Sequence, residues 1–85
     1  MQISYSPKFA KKYRKLSSMM RKITEEKEAI FRDNPFDHRL KTHKLNGKLD
    51  GLHAFTVNYK YRIILEFMNN DEVYFHTIGT HDIYE

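Results

Sequence analysis

The spacing of hydrophobic positions along this chain changes once, near residue 41, from a helical period to a strand period. The run QISY at residues 2–5 is β-branched and aromatic and predicts a short opening strand. Ser6 and Pro7 then read as a helix start, with a capping hydroxyl followed by proline at the first helical position. Phe9, Tyr13, Leu16 and Met20 recur at helical spacing with Lys and Arg between them, which predicts an amphipathic helix with a basic outer face. The segment LSSMM interrupts that stripe, and Ser17 or Ser18 is placed to cap a second helix. This second helix turns Ile23, Ile30 and Phe31 inward and EEKE outward. It must stop before Pro35, with Asn34 expected as a left-handed exit residue. Two helices joined by so short a turn form an αα-hairpin.

Beyond Lys41 the glycines and the Asn-Gly pair of HKLNGKLDG mark tight turns around a short extended piece. LHAFTVN, YRIILEF and EVYFHTIG follow as strands of an antiparallel meander, separated by YK and MNND. Alternation puts Ile63, Leu65 and Phe67 on one face with Phe55 and Val57, and Arg62, Ile64 and Glu66 on the other with Ala54 and Thr56. The helices are expected to cover the greasier face and leave the other partly open. Gly79 is expected to let the chain turn out of its last strand, and Tyr5 and Tyr13 to join the core. The pattern predicts one α+β domain over residues 1–85. An N-terminal strand leads into an αα-hairpin that packs on one face of a small twisted, mainly antiparallel sheet.

Composition sharpens this picture. Six Phe and six Tyr with no Trp mean that a few large rings must supply much of a thin core. The absence of cysteine excludes disulfides and thiolate metal sites and fits a reducing compartment. No apolar run suits a signal peptide or a bilayer span, so the expected location is the cytoplasm, with no membrane partner. The net charge is +4, and its distribution says more than its value. Residues 1–24 carry seven Lys and Arg and no acid, residues 38–48 are again acid-free, and beyond Arg62 there is no Lys or Arg at all. Such polarity suits an anionic partner, whereas the plainer account is a solvated helix face.

The candidate chemistry follows by elimination. His38, His43, His53, His76 and His81 lack paired metal-ligand spacing, the serines sit in a strand, a cap and a turn, and no glycine-rich phosphate loop is present. No metal or other cofactor is implied. What remains is chemistry by Arg, His, Lys and Tyr, which suits RNA cleavage by the ribose 2′-hydroxyl. That reaction needs a base for the hydroxyl, a cation for the phosphorane and an acid for the leaving 5′-oxygen. Arg62, His81 and Tyr84 meet these needs if the tail folds back over the face that bears Arg62.

The order of strand, basic helix hairpin, HKLNGKLDG, YRIILEF and IGTHDIY resembles the RelE/ParE toxin superfamily, and within it the YafQ-like (RelE/StbE-type) mRNA interferases. The resemblance spans nearly the whole chain. It implies the RelE-like microbial RNase fold and a toxin of a type II toxin–antitoxin system. Such a toxin is a metal-independent endoribonuclease that cleaves mRNA on the ribosome and inhibits translation. It also implies a cognate antitoxin wrapped around the toxin, with operator DNA engaged only through that antitoxin. Here the antitoxin segment is expected to be acidic and apolar, and to bury part of the catalytic face or displace the tail.

Carried over residue by residue, the resemblance gives Arg62 as the contact to the scissile phosphate and His81 of the GTH motif as general acid. It gives Tyr84 as the aromatic that orients RNA, and His43 as the histidine of the family's H.L element. Lys41, Lys44, Lys48, Lys60, Tyr61 and His53 complete the expected RNA-binding set. There are departures. Ala54 and Thr56 stand where RelE has lysines, Thr77 stands near the strand-four arginine of YafQ, and NYKYR blurs the alignment with the acid and histidine carried there. His53 or His43 is left to supply the base, while His76 is expected to pack or hydrogen-bond. Arg62 could instead pair with Glu66, Asp50 or Asp71. The rival functional reading is a ParE-like gyrase inhibitor that acts by protein binding alone, and a third is an inactive RNA-binding relic.

Overall fold

The computed structural model describes residues 1–84, with side chains through residue 83. Its elements follow the predicted order: β1 (Gln2–Tyr5), α1 (Pro7–Arg14), α2 (Ser18–Asp33), β2 (His43–Lys44), β3 (His53–Thr56), β4 (Arg62–Phe67) and β5 (Glu72–Gly79). Short 3₁₀ turns occupy Gly47–Leu49 and His81–Tyr84. The sheet order is β1-β5-β4-β3-β2. Four strands form the antiparallel meander, and β1 joins its far edge parallel to β5. The helical hairpin supplies the crossover that a parallel pair requires.

Ser6 is the joint between helix and sheet. Its hydroxyl accepts from the Phe9 amide at 2.8 Å and donates to the His76 carbonyl at 2.6 Å, while its own amide donates to the Phe75 carbonyl at 3.0 Å. One residue therefore caps α1 and fastens it to β5. Ser17 caps α2 by accepting from the Met20 amide at 3.1 Å. Asn34 at the other end is extended (φ −153°, ψ 104°) and not left-handed as expected. Pro35 is the reason, since its ring forces the residue before it into the β region.

The helices cover the face that carries Phe55, Val57, Ile63, Leu65, Val73, Phe75 and Ile78. Phe31 descends from α2 into its centre and is fully buried. It stacks on Phe55 at 4.9 Å between ring centroids and meets Phe75 edge-on at 5.6 Å. Leu40, set in an otherwise polar stretch, is also fully buried, and its carbonyl accepts from the Thr56 amide at 2.7 Å. That anchor brings the chain to β2. Of the two tyrosines expected in the core, Tyr5 lies at its rim, 43% exposed. Its ring stacks on Phe9 at 5.4 Å and its hydroxyl donates to Glu28, just as the Tyr13 hydroxyl donates to Glu25 at 3.0 Å. Phenols sit where the ring is covered and the oxygen finds a partner. No helix among the described residues is long and apolar enough to cross a membrane.

Candidate functional site

The face turned away from the helices is built in rows by the strand register. His43, Ala54, Ile64 and Thr77 lie side by side across β2–β5. Thr56, Arg62 and Gly79 form the next row, and Glu66 with Tyr74 the row on the other side. The face is less open at its centre than the alternation suggests, because Ala54, Ile64 and Thr77 are all buried. A bulge at Ile64/Leu65 gives β5 one residue more than its partner, so His76 has no opposite number. The extra residue sets His76 and Thr77 together on this face and returns Ile78 to the core.

Arg62 opens β4 directly after the tight loop at residues 58–61. The Asn58 side chain builds that loop by accepting from the Lys60 amide at 2.9 Å and the Tyr61 amide at 2.7 Å. The Arg62 guanidinium donates through Nη1 to the Asn58 carbonyl at 3.3 Å. Among the described residues no carboxylate pairs with it. The structural alternative of an ion pair with Glu66, Asp50 or Asp71 is thereby replaced. Glu66 is engaged by His76 instead, with Nε2 to Oε1 at 2.9 Å, and Asp71 binds the N-terminal ammonium at 2.8 Å.

Arg62 stands opposite Gly79, two residues before His81. His81 opens the 3₁₀ turn that continues β5. The Ile83 amide donates back to the Thr80 carbonyl at 3.0 Å, and the Thr80 hydroxyl donates to Asp82. That hydroxyl, reinforced by Lys12 and His81, holds the Asp82 carboxyl below its ordinary range. Gly79 is glycine for room and not for a turn. Its backbone is not left-handed, but a Cβ there would collide with the Ile83 side chain, which lies over it. Tyr84 belongs to the same turn by its backbone, and its side chain lies outside the described residues.

The other expected residues divide between the two faces and the sheet edge. His43 sits on β2, exposed, with Nδ1 2.9 Å from the Lys41 carbonyl. A carbonyl only accepts, so Nδ1 carries the hydrogen and Nε2 keeps a lone pair in the neutral ring. Lys41, Lys44 and Lys48 line this same exposed edge, Lys41 in a left-handed conformation (φ 52°). Lys60 projects from the loop before Arg62, its Nζ 5.8 Å from the Tyr61 ring centroid. Tyr61 itself packs against the core on the helix side. His53 also belongs to that side, edge-on to Phe67 at 4.8 Å and to Phe36 at 6.1 Å. Burial, with Lys44 and His43 nearby, pushes its pKa down, and its Nδ1 is buried without a hydrogen-bond partner. The structure thus places Arg62 and His43 on the helix-free face, with the turn bearing His81 at the end of the same strand that faces Arg62. It puts His53 and Tyr61 on the opposite face.

Sequence reasoning missed the Glu66–His76 pair. Counting by twos along β5 gives no hint of the bulge, and therefore none of how β5 lies against β4 there. Among the described residues no three His, Asp or Glu side chains are grouped as a metal site would need.

No family model and no curated protein sequence matches the chain. Solved structures do. The YoeB/ParE toxin from Agrobacterium tumefaciens superposes with a TM-score of 0.82 at 13% identity, over 95% of this chain and 99% of that one. YafQ from E. coli strain BL21(DE3) gives 0.75 at 19% identity, over 96% and 94%. The archaeal RelE–RelB complex from Pyrococcus horikoshii OT3 gives 0.76 at 16% identity, over 93% and 92%. With nearly the whole of both chains superposed, this chain has the fold of these toxins.

Proposed function

We propose that this chain is the toxin of a type II toxin–antitoxin pair and that it acts as an endoribonuclease, cleaving mRNA on the ribosome in the cytoplasm. The observation that carries this reading is Arg62, a guanidinium on the helix-free face that no described carboxylate neutralises. Charge is arranged to match. Lys60 lies two residues before Arg62, the Lys12 ammonium lies 3.5 Å from where a Cβ on Gly79 would stand, and the acids Glu66, Asp71 and Glu72 lie toward the other end of β4 and β5, leaving Asp82 beside Lys12 and His81 at the near end. An RNA phosphate is drawn to the Arg62 end, where a guanidinium binds two of its oxygens at once.

In this reading the ribose 2′-oxygen attacks the phosphorus while Arg62 holds the non-bridging oxygens. His81 protonates the departing 5′-oxygen, and Tyr84 orients the RNA. Lys41, Lys44, Lys48 and Lys60 bind its backbone. Arg62 supplies the charge that a metal would otherwise bring, so the mechanism asks for no cofactor. The partner is a cognate antitoxin that lays acidic and apolar side chains over this face. The archaeal RelE of the same fold was solved with RelB. Adding the chain to a translating extract with a reporter mRNA tests the reading. Cleavage within translated codons, lost in Arg62→Ala and His81→Ala, is the expected result. Intact mRNA together with inhibited DNA supercoiling by gyrase would replace it with the ParE-like reading.

A further inference from the structure

The proposed reaction still lacks a base for the 2′-hydroxyl. The two histidines open to that role from sequence are His43 and His53, and His53 lies on the wrong face. A third imidazole stands on the face of Arg62. His76 is the bulge residue of β5, and its Nε2 is 2.9 Å from Glu66 Oε1. Both side chains are about one-third exposed, at 34% and 39%, so a substrate can reach them. The Tyr74 ring meets the imidazole edge-on at 4.7 Å between centroids.

We propose that His76 is the general base of the ribonuclease and that Glu66 is its positioning residue. The assignment rests on the ribonuclease reading given above. A carboxylate only accepts, so Nε2 bears the hydrogen and Nδ1 keeps the lone pair. Nδ1 takes the proton of the 2′-hydroxyl, and the 2′-oxygen forms its bond to phosphorus. The bond from phosphorus to the 5′-oxygen breaks, and that oxygen takes a proton from the His81 imidazolium. The products are a 2′,3′-cyclic phosphate and a free 5′-hydroxyl, with no other reactant consumed. Glu66 stabilises the imidazolium that forms on His76, as a carboxylate behind a histidine does in other acyl- and phosphoryl-transfer sites.

Strand geometry supports the division of labour. In-line displacement requires base and acid on opposite sides of the phosphorus, with the cation between them. β5 runs from His76 past Gly79, which faces Arg62, to His81. At about 3.4 Å per residue the stretch from His76 to Gly79 covers roughly 10 Å, and His81 follows in the 3₁₀ turn beyond it, so the two imidazoles lie on either side of the Arg62–Gly79 row. The bulge serves this arrangement by keeping His76 on the substrate face while Ile78 returns to the core. His43, the rival, has no carboxylate behind it among the contacts of its ring; Nδ1 is held by a backbone carbonyl instead.

The test uses ribosomes programmed with mRNA that carries a single 5′-bridging sulfur at the bond the wild type cuts. A thiolate leaves without protonation, so loss of the general acid is repaired on this substrate and loss of the base is not. His76→Gln, which keeps a donor toward Glu66, should cleave ordinary mRNA about 10²–10⁴-fold more slowly and remain as slow on the sulfur substrate. His81→Ala should recover on sulfur. Glu66→Gln should lose less than His76→Gln and shift the acid limb of the pH–rate profile downward, with Arg62, His43 and Tyr74 as the other titratable groups on that face. Thermal melting of each variant separates a folding defect from a catalytic one, and a fully folded Glu66→Gln keeps the test decisive if His76→Gln melts early. If the wild type cuts mRNA and His76→Gln keeps pace with it, or recovers on sulfur, His76 is not the base while the ribonuclease reading stands. A His43→Ala variant that is slow on both substrates would then take its place. If the wild type cuts no mRNA, both readings fall.

Discussion

Gly79→Ala separates the placement of the C-terminal turn from the stability of the domain. The added methyl enters the space of the Ile83 side chain, with the Lys12 ammonium 3.5 Å away on another side. Two responses are open. Ile83 rotates out of its preferred rotamer, at a cost of about 0.5–1.5 kcal/mol. Or the turn lifts away and Ile83, half-buried, gives up part of the roughly 1.5–3 kcal/mol that full burial of such a side chain brings. Either cost, about 1–1.5 kcal/mol, is small beside the roughly 4–13 kcal/mol expected to hold 85 residues folded. It is enough to loosen the turn about tenfold. The expected outcome is a urea midpoint lowered by about 0.5–1 M with the transition still cooperative, while amide exchange at residues 81–83 quickens by about tenfold. A double-mutant cycle identifies the cause. In an Ile83→Ala background the methyl meets only the Lys12 ammonium and the remaining Cβ of residue 83, both at ordinary contact distance, so Gly79→Ala should then have little effect on the turn. Strict additivity of the two substitutions, within about 0.3 kcal/mol, would refute the close-approach explanation.

Two further outcomes follow from the core. Phe31→Ala removes a fully buried ring that stacks on Phe55 and meets Phe75, and should cost about 3–5 kcal/mol by urea denaturation; a loss under about 1 kcal/mol would mean that α2 does not hold the sheet as described. His53 has its pKa lowered in the fold by burial first and by Lys44 and His43 next, so the unfolded chain binds its proton more readily. Stability should therefore fall as pH drops below the ordinary histidine value of about 6.5, and His53→Leu should flatten that part of the curve; an identical decline in both proteins would contradict it.

Much of the architecture was legible in local chemistry. Ser6-Pro7 and Ser17 announce helix starts because a hydroxyl cap acts within three residues. Alternation in β3 and β4 assigns Phe55, Ile63 and Leu65 to one face and Arg62 to the other, since a strand reverses its side chains at every step. Asn34 tolerates a left-handed backbone, but Pro35 after it holds it in the extended region. Gly79 suggests a turn out of the last strand, whereas its need is space for the side chain of Ile83, four positions on.

By itself, then, the sequence determined the elements, their order, the faces of β3 and β4 and the basic character of the chain. Those properties depend on residues within a few positions of one another. Only the tertiary structure decided that β1 joins the sheet parallel to β5, that Arg62 meets Gly79 across two strands, and that a bulge sets His76 against Glu66. Each of those depends on pairing between segments distant in sequence. A one-residue slip in register moves every side chain beyond it to the other face, and no local pattern records where that slip occurs.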